Sequence, residues 1–330
     1  MHMADAFLSP TVGLGMWAAA AGLIGVCSRR LKREADDRKV PLMGVLGAFV
    51  FAAQMINFAI PGTGSSGHLG GGLLLAVLLG PHAGVLVIAS VLLVQALFFA
   101  DGGLLAFGCN LINLGLFPAF VGYPLFRWIA GPAPGRRRMG VAAVIAAVAG
   151  LQLGALAVVL QTTASGISAL PFGSFLAFML PIHLAIGVVE GLVTAVVLGF
   201  VFAARPELLA RDAAPRGSRR GVLAGFVLAA ALTGGLLSWF ASSRPDGLEW
   251  SVERVTGSAE LAAPSTDAHG WFAGLQDRVA VLPDYDLRSN TPVAAESGFG
   301  TSLAGLVGGI VTLLVALLAG WLLRARSRRP

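Results

Sequence analysis

The sequence predicts an all-α protein, a polytopic transmembrane helical bundle of about nine spans. Of its 330 residues, 56% are hydrophobic and only 12% are charged, whereas charged residues make up about a quarter of a soluble domain. Several uncharged apolar runs reach the length of about 20 residues that a helix needs to cross a bilayer. The basic residues cluster in short loops, which is typical of membrane topology signals, and no nucleic-acid partner is expected.

Nine apolar runs are predicted to cross the membrane. They lie near residues 10–28, 40–60, 68–80, 82–100, 104–129, 139–163, 173–203, 221–241 and 301–323. The run at 68–80 is short and Pro81 interrupts it, so one half of residues 68–100 is expected to be tilted or re-entrant. The first run is not expected to be a cleavable signal peptide, because Asp5 precedes it and a basic segment does not.

Basic segments set the predicted orientation. Residues 29–39, 136–138, 205–220 and 324–329 are rich in arginine and follow the first, fifth, seventh and ninth spans. Loops rich in lysine and arginine stay in the cytoplasm. The sequence therefore predicts an N-terminus outside the cell and a C-terminus in the cytoplasm.

The chain is predicted to contain two membrane units. A domain of about seven spans covers residues 1–205, and a polar linker with proline and glycine covers 206–220, as expected between two units. A second domain at 221–330 has two spans around residues 242–300, which hold nine acidic residues and four arginines. We expect this acidic loop to be extracytoplasmic, with little structure of its own, and its His269 to be exposed.

Two histidines form the candidate metal site. A histidine at position 2 offers one metal three nitrogens: the Met1 amine, the His2 amide and the His2 imidazole. A second imidazole would complete a set of four nitrogens in one plane, which favours Ni(II) or Cu(II). His68 is the candidate, because the predicted orientation brings it to the same membrane face within a glycine-rich segment that permits close backbone approach. Alternatively, His68 only closes this loop and caps the following helix.

Five further polar residues are candidates for supporting this site. Ser65 and Ser66 could orient an imidazole, and Asp5 could neutralise charge or cap the first helix. His183 and Glu190 lie seven residues apart on one face of the seventh predicted span. Ionisable groups at membrane depth are costly and usually functional, although this pair could instead make structural contacts with a neighbouring span.

An intramembrane serine protease is the alternative from another class. The sequence Gly-Ser-Ser-Gly at residues 64–67 matches the surroundings of such a nucleophile, with Ser66 attacking and His183 as general base. Ser66 precedes the span instead of lying within it, the loop is unusually rich in glycine, and His2 would have no role. These observations argue against the protease.

Three segments, at residues 1–10, 41–58 and 61–72, carry a recognisable pattern. They resemble the substrate-binding membrane subunit of nickel and cobalt energy-coupling factor transporters, the CbiM/NikM type, and the resemblance covers about residues 1–205. Pro-Asp-Gly-Leu-Glu-Trp at 245–250 resembles the signature of the small two-span companion subunit, the CbiN/NikN type. The chain is thus similar to a fusion of the two subunits.

The resemblance implies a bundle into which the N-terminus folds back. It also implies that the metal ligands are the Met1 amine, the His2 amide and imidazole, and His68. Ala6 stands where relatives often have glycine, a departure that we expect to tighten the turn after His2 without removing a ligand.

The resemblance further implies a role and partners. The expected protein is a multi-pass component of the bacterial cytoplasmic membrane that works with a membrane coupling subunit and two ATPase subunits. The chain itself contains no P-loop motif for ATP hydrolysis, is not expected to be an enzyme, and needs no organic cofactor. Nickel is the expected substrate because four in-plane nitrogens favour it and Ser9-Pro10 resembles the nickel members. Cobalt is the alternative.

Overall fold

Helices dominate the computed structural model, which describes residues 2–34, 39–132, 134–204, 219–259, 261–262, 264, 266–287 and 299–325. In chain order the helices are α1 (Pro10–Glu34), α2 (Lys39–Gln54), α3 (Gly72–Leu79), α4 (Pro81–Phe98), α5 (Phe107–Ala130), α6 (Arg136–Ser165), α7 (Phe172–Ala204), α8 (Arg219–Gly235), α9 (Gly247–Thr256), α10 (Asp267–Val279) and α11 (Phe299–Ala325). Short 3-10 turns lie at Asp5–Phe7, Leu237–Phe240 and Pro283–Tyr285. The predicted all-α class is confirmed.

The described helices agree with a multi-pass membrane protein. Six of them, α1, α4, α5, α6, α7 and α11, are long and apolar enough to cross a membrane, and α2 and α8 are shorter apolar helices. Each of these eight coincides with a predicted span. Most of the predicted linker at 206–220 and the basic residues at 326–329 lie outside the described residues.

The predicted span at 68–80 is only partly helical, in agreement with the expectation that this short run is not a regular full span. Helix α3 has eight residues, a length of about 12 Å, against about 30 Å for the hydrocarbon core. The preceding chain enters the bundle as a hairpin of β1 (Phe58–Ala59) and β2 (Ser66–Gly67). Glu190 on α7 then accepts hydrogen bonds from the amides of Gly70 and Gly71, each at 3.1 Å. Irregular backbone at membrane depth needs such internal partners.

Helix α5 contains two wide π turns, at Ile112–Leu116 and Pro118–Gly122. Pro118 lacks a backbone N–H and cannot continue a regular helix without loss of a bond, and π turns are frequent at functional sites. A Cβ at Gly72 would lie 2.2 Å from the Leu114 carbonyl oxygen. Glycine at the start of α3 therefore allows the half-helix to press against this widened part of α5.

Helices α8 and α11 pack closely on each other, and α11 packs closely on α2 of the first unit. A Cβ at Gly44 of α2 would lie 2.6 Å from Leu317 of α11, and one at Gly305 of α11 would lie 2.2 Å from the Gly234 oxygen of α8. Small residues at such crossings let helices approach until their backbones touch. This packing makes α2 a buried central helix.

The acidic segment after α8 is folded, and the expectation of little structure there is wrong for its described part. Helix α9 begins with a capping box, in which the Asp246 side chain accepts from the amides of Leu248 (2.7 Å) and Glu249 (2.9 Å). The Glu249 side chain in turn accepts from the Asp246 amide at 2.9 Å. This reciprocal pattern starts a helix regardless of the low aromatic content. We call the described residues 242–287 the cap unit.

Candidate metal site

The N-terminal segment is threaded into the bundle. The Met3 amide donates to Asn110 Oδ1 at 2.8 Å, and Asn110 Nδ2 donates to the Met3 oxygen at 3.1 Å. The Gly103 amide also donates to the Met3 oxygen, at 2.9 Å, and the Met3 side chain is fully buried. The backbone on either side of Met3 is therefore fixed, and this fixes the position of His2. Met1 lies outside the described residues.

The structure brings His2 and His68 together. Their rings are parallel within 6° and their centroids lie 4.9 Å apart. Metal–nitrogen distances of about 2.0–2.1 Å place two imidazoles on one metal with centroids about 4.5–6.5 Å apart. His68 Nδ1 donates to the Leu69 oxygen at 3.2 Å, a contact that leaves Nε2 as the ligating atom. Both histidines line a cavity of about 590 Å³.

Two carboxylates complete the surroundings of the imidazoles, and neither was a candidate from the sequence. Asp101 Oδ1 lies 3.3 Å from His2 Nδ1, and Asp246 Oδ2 lies 3.8 Å from His68 Nε2. The Tyr285 hydroxyl donates to the other oxygen of Asp101. Asp101 lies in an Asp-Gly-Gly turn, a common sequence that does not indicate a metal site. Asp246 belongs to the companion-type signature at residues 245–250. That signature indicated a family and did not indicate that Asp246 lies beside the metal site.

Burial controls the charge of the histidines. It lowers the pKa of His2 and that of His68 to about 3 each. Both rings are therefore neutral at pH 7, the form in which imidazole binds a metal. Among the described residues no three His, Cys, Asp or Glu side chains lie close enough to hold a metal ion. A metal between His2 and His68 would thus need further ligands from backbone or amine nitrogen.

The cap unit holds the N-terminal segment in place. His269 Nε2 donates to the Leu8 oxygen at 2.9 Å and lies 3.2 Å from the Asp5 oxygen. Its other ring nitrogen contacts the Thr266 hydroxyl, and His269 is only 3% exposed. The expectation of an exposed loop histidine is therefore wrong, because α10 lies over the N-terminal segment. Gln276 adds hydrogen bonds to the oxygens of Ala96 (2.9 Å) and Gly102 (2.8 Å).

The predicted supporting serines contact the cap unit. The Ser66 amide donates to the Pro245 oxygen, and its hydroxyl donates to the Arg244 oxygen, both at 2.8 Å. The Ser65 hydroxyl donates to the Ser66 oxygen at 3.0 Å. The contacts of Ser66 hold the chain directly before Asp246, and the Ser65 hydroxyl lies 3.4 Å from the Pro245 oxygen; a role of the two serines in orienting an imidazole stays a prediction.

Asp5 does not cap the first helix, one of the two roles considered for it; the other role, neutralising charge near the metal site, stays a prediction. Its Oδ1 accepts a hydrogen bond from the Ala106 amide at 2.9 Å, immediately before α5. Burial raises the pKa of this carboxyl. Asp5 therefore joins the N-terminal segment to the start of α5, and α1 begins only at Pro10.

His183 and Glu190 both lie on the buried face of α7, with 1% and 2% exposure. Glu190 holds the backbone that leads into α3, as described above. His183 Nδ1 donates to the Met179 oxygen at 2.8 Å. Among the described contacts Ser66 and His183 form no pair, since each is bonded to a different backbone carbonyl. The geometry therefore offers no support for a serine protease.

These features define a class: the chain is a multi-pass membrane transport component and not an enzyme. It belongs to the family described as the cobalt uptake substrate-specific transmembrane region (CbiM), whose model matches residues 2–208. A PDGLE domain matches residues 220–325. The resemblance to a fused pair of subunits is confirmed.

Relatives with both units align over nearly the whole chain. The chain is 33% identical to the fused nickel transport protein NikMN of Rhodobacter capsulatus, covering 100% of this chain and 99% of that protein. It is 35% identical to the putative fused nickel transport protein NikMN of Archaeoglobus fulgidus, covering 95% and 96%. A crystal structure of a transition metal transporter matches with a TM-score of 0.56 and 29% identity, over 63% of this chain and 95% of that one.

Proposed function

We propose that this chain is the substrate-specific component of an ATP-driven energy-coupling factor importer for Ni(II). The juxtaposition of His2 and His68, with parallel rings 4.9 Å apart in a buried site, is the observation that carries the proposal. Two imidazoles at this separation are within reach of one ion, and the stacked rings must turn so that their lone pairs, which lie in the ring planes, converge on it. The names of the fused relatives favour nickel.

In the proposed site the metal is bound by four nitrogens. They are the Met1 amine, the His2 amide, the His2 imidazole and His68 Nε2. A chelate that uses both the amide and the ring of one histidine closes through Nδ1, which is the atom of His2 that faces Asp101 at 3.3 Å. Deprotonation of the amide adds a negative charge, and two carboxylates nearby offset the charge of the cation.

Cobalt is the alternative substrate. The family description refers to cobalt uptake, and the cobalt transport protein CbiM of Sorangium cellulosum is 34% identical over 64% of this chain. Four nitrogens in one plane favour Ni(II) over the more flexible Co(II), so nickel is the first choice.

In the proposed orientation the N-terminus and the cap unit lie outside the cytoplasmic membrane. Glu34 at the end of α1 contacts Lys39 (2.6 Å) and His82 (3.4 Å). The end of α1 and the starts of α2 and α4 therefore lie together, next to a segment with a basic sequence. Basic loops favour the cytoplasm. The linker between the two proposed units, residues 1–205 and 221–330, is also proposed to be cytoplasmic, because its sequence is basic.

The proposed partners are a membrane coupling subunit and two ATPase subunits. The sequence carries no P-loop motif, and ATP-driven transport therefore requires a nucleotide-binding partner. Such partners would reorient the bundle and open the site to the cytoplasm.

The test is nickel binding to purified protein with a native N-terminus, offered nickel and cobalt in equal amounts. We expect one bound nickel and a weak yellow absorption band of low-spin square-planar Ni(II). His68→Ala should weaken binding by at least about 100-fold, because even loss of an outer partner of a metal ligand costs about 10–100-fold. His82→Ala is the matched control and should bind normally.

An extension of the N-terminus by a tag should also abolish binding, because it removes the free amine and displaces His2. Stoichiometric nickel in the tagged protein would contradict the amine ligand, and in His68→Ala it would exclude His68. Preferential binding of cobalt would change the substrate and retain the site.

A further inference from the structure

His183 on α7 and His68 line the same small cavity. His183 is 1% exposed, and its Nδ1 donates to the Met179 oxygen at 2.8 Å. Within the described part of the chain its Nε2 has no hydrogen-bond partner. Because Nδ1 carries the proton, Nε2 presents a lone pair.

The side chain of His183 lines a second, much smaller cavity. The cavity has a volume of about 10 Å³, and His68, His183 and Asp246 all contribute to its lining. That is room for one particle of the size of a water molecule. Leu114, Leu151 and Ile186 form its apolar wall. His68 also lines the large cavity of about 590 Å³, so it is common to both.

The arrangement of His183 is that of a metal ligand. Buried polar atoms almost always have a hydrogen-bond partner. A buried nitrogen without a partner therefore indicates a further role for its side chain. Histidines that bind metals usually donate their other ring N–H to a carbonyl or carboxylate, which fixes the ring and its tautomer. His183 has this fixed tautomer through Met179, and its remaining nitrogen, which has no hydrogen-bond partner among the described residues, belongs to a side chain that lines the same small cavity as His68.

We propose that His183 is an inner ligand for the transported divalent cation, which passes from the His2–His68 site to a position between His68 and His183. This inference rests on the proposed function, because it requires that a metal reaches His68. The inner position is one of passage, since the described side chains do not bring three metal-binding groups together. Its ligands are two imidazoles, with the Asp246 carboxylate beside them to offset charge.

The cap unit closes the outer side of this inner position. A Cβ at Gly247 would lie 3.1 Å from His183 Cε1 and 2.8 Å from Ile186 Cδ1. Glycine is therefore what allows the start of α9 to rest on the imidazole. Any side chain at position 247 would push into the space that the cation needs.

The experiment compares nickel binding and nickel uptake in the same variants. His183→Gln has similar volume and can form hydrogen bonds but is a poor ligand for Ni(II). We expect the nickel affinity of purified His183→Gln to be within about twofold of the wild-type affinity. Cells that express this variant with the partner subunits should take up radioactive nickel at least about tenfold more slowly than cells with the wild type. His82→Gln, a histidine far from both cavities, is the control.

A ligating replacement separates metal binding from packing. His183→Cys is smaller but supplies a thiolate ligand, so it should restore part of the uptake that His183→Gln loses. Gly247→Ala should also slow uptake while nickel binding persists, and Gly274→Ala, which has open space around it, should have no effect. Gly247→Ala provides the test if His183 variants fail to fold.

Uptake by His183→Gln close to the wild-type rate would overturn the inference, as would equal losses in His183→Gln and His183→Cys, which would indicate packing. Failure of the proposed function has a different signature. The wild-type protein would then bind neither nickel nor cobalt, and both proposals would be wrong.

Discussion

At the scale of single residues, the candidate metal site is built from groups that other residues hold in place. The backbone around Met3 is clamped by Asn110, and this clamp orients His2. His68 is oriented by the carbonyl of its own neighbour Leu69. Such preorganisation lowers the cost of ordering ligands when a metal binds.

The neutral histidines lead to a prediction about pH. Burial holds the pKa of His2 and of His68 at about 3, below the ordinary value of about 6.5. The carboxylates of Asp101 and Asp246 face the two rings. Only the Met1 amine and the His2 amide should then release protons when nickel binds. At pH 5.5 calorimetry in buffers of different ionisation enthalpy should detect about two protons per nickel.

The lowered pKa values of His2 and His68 also make the stability of the fold depend on pH. The pKa of both histidines is lower in the folded protein than in the unfolded chain. The neutral histidines therefore stabilise the fold fully above about pH 6.5, and this contribution is lost as the pH falls from there toward about 3.

Release of nearly four protons per nickel at pH 5.5 would contradict the prediction of two, because it would mean that both imidazoles are protonated before the metal binds.

At the scale of elements, the half-helix α3 and the irregular chain before it decide where His68 lies. Glu190 binds the amides of Gly70 and Gly71, two and three residues after the histidine. The interrupted span thus places a histidine, the proposed ligand His68, inside an apolar bundle.

Glu190→Gln is predicted to destabilise the fold and weaken nickel binding together. Gln has one acceptor oxygen in place of two, so one of the buried amides at Gly70 and Gly71 loses its partner. A buried donor that is left without its acceptor costs about 1–3 kcal/mol of unfolding free energy. Thermal unfolding in detergent and nickel titration measure the two effects.

Glu253→Gln is the matched control, because Glu253 is exposed on α9 and its replacement should be nearly neutral. Unchanged nickel affinity in Glu190→Gln, despite lower stability, would show that the loop backbone does not control His68.

At the scale of the whole molecule, the cap unit and the membrane bundle form a joint site. Asp246 lies beside His68, and His269 binds the carbonyls of the N-terminal segment. The two units are separated along the chain by the linker, yet they meet at the two histidines. Fusion into one chain keeps the cap unit at a high effective concentration.

His269→Ala is predicted to loosen the N-terminal segment without unfolding the bundle. It removes the hydrogen bond to Leu8 and the contact with Asp5, worth about 1–1.5 kcal/mol, so amide hydrogen exchange of residues 2–8 should accelerate about tenfold. Mass spectrometry of exchanged peptides measures this effect. His82→Ala should leave these amides unchanged, and equal protection in His269→Ala would show that the cap unit does not hold the segment.

The sequence by itself determined the membrane class, the positions of the eight described apolar helices, and the family. These features are local, because the bilayer replaces water along every span and each segment must satisfy its own backbone bonds. The candidates His2 and His68 followed from their residue type and the resemblance. The capping-box residues Asp246 and Glu249 also indicate the start of α9, although the low aromatic content of the segment predicted little structure.

Only the tertiary structure decided how the site is enclosed. Asp101 and Asp246 stand beside the two imidazoles, His269 lies over the N-terminal segment, and His183 lines the inner cavity. These residues come from segments that are far apart in the chain. Hydropathy and spacing describe one segment at a time, whereas proximity across a bundle depends on how all helices pack.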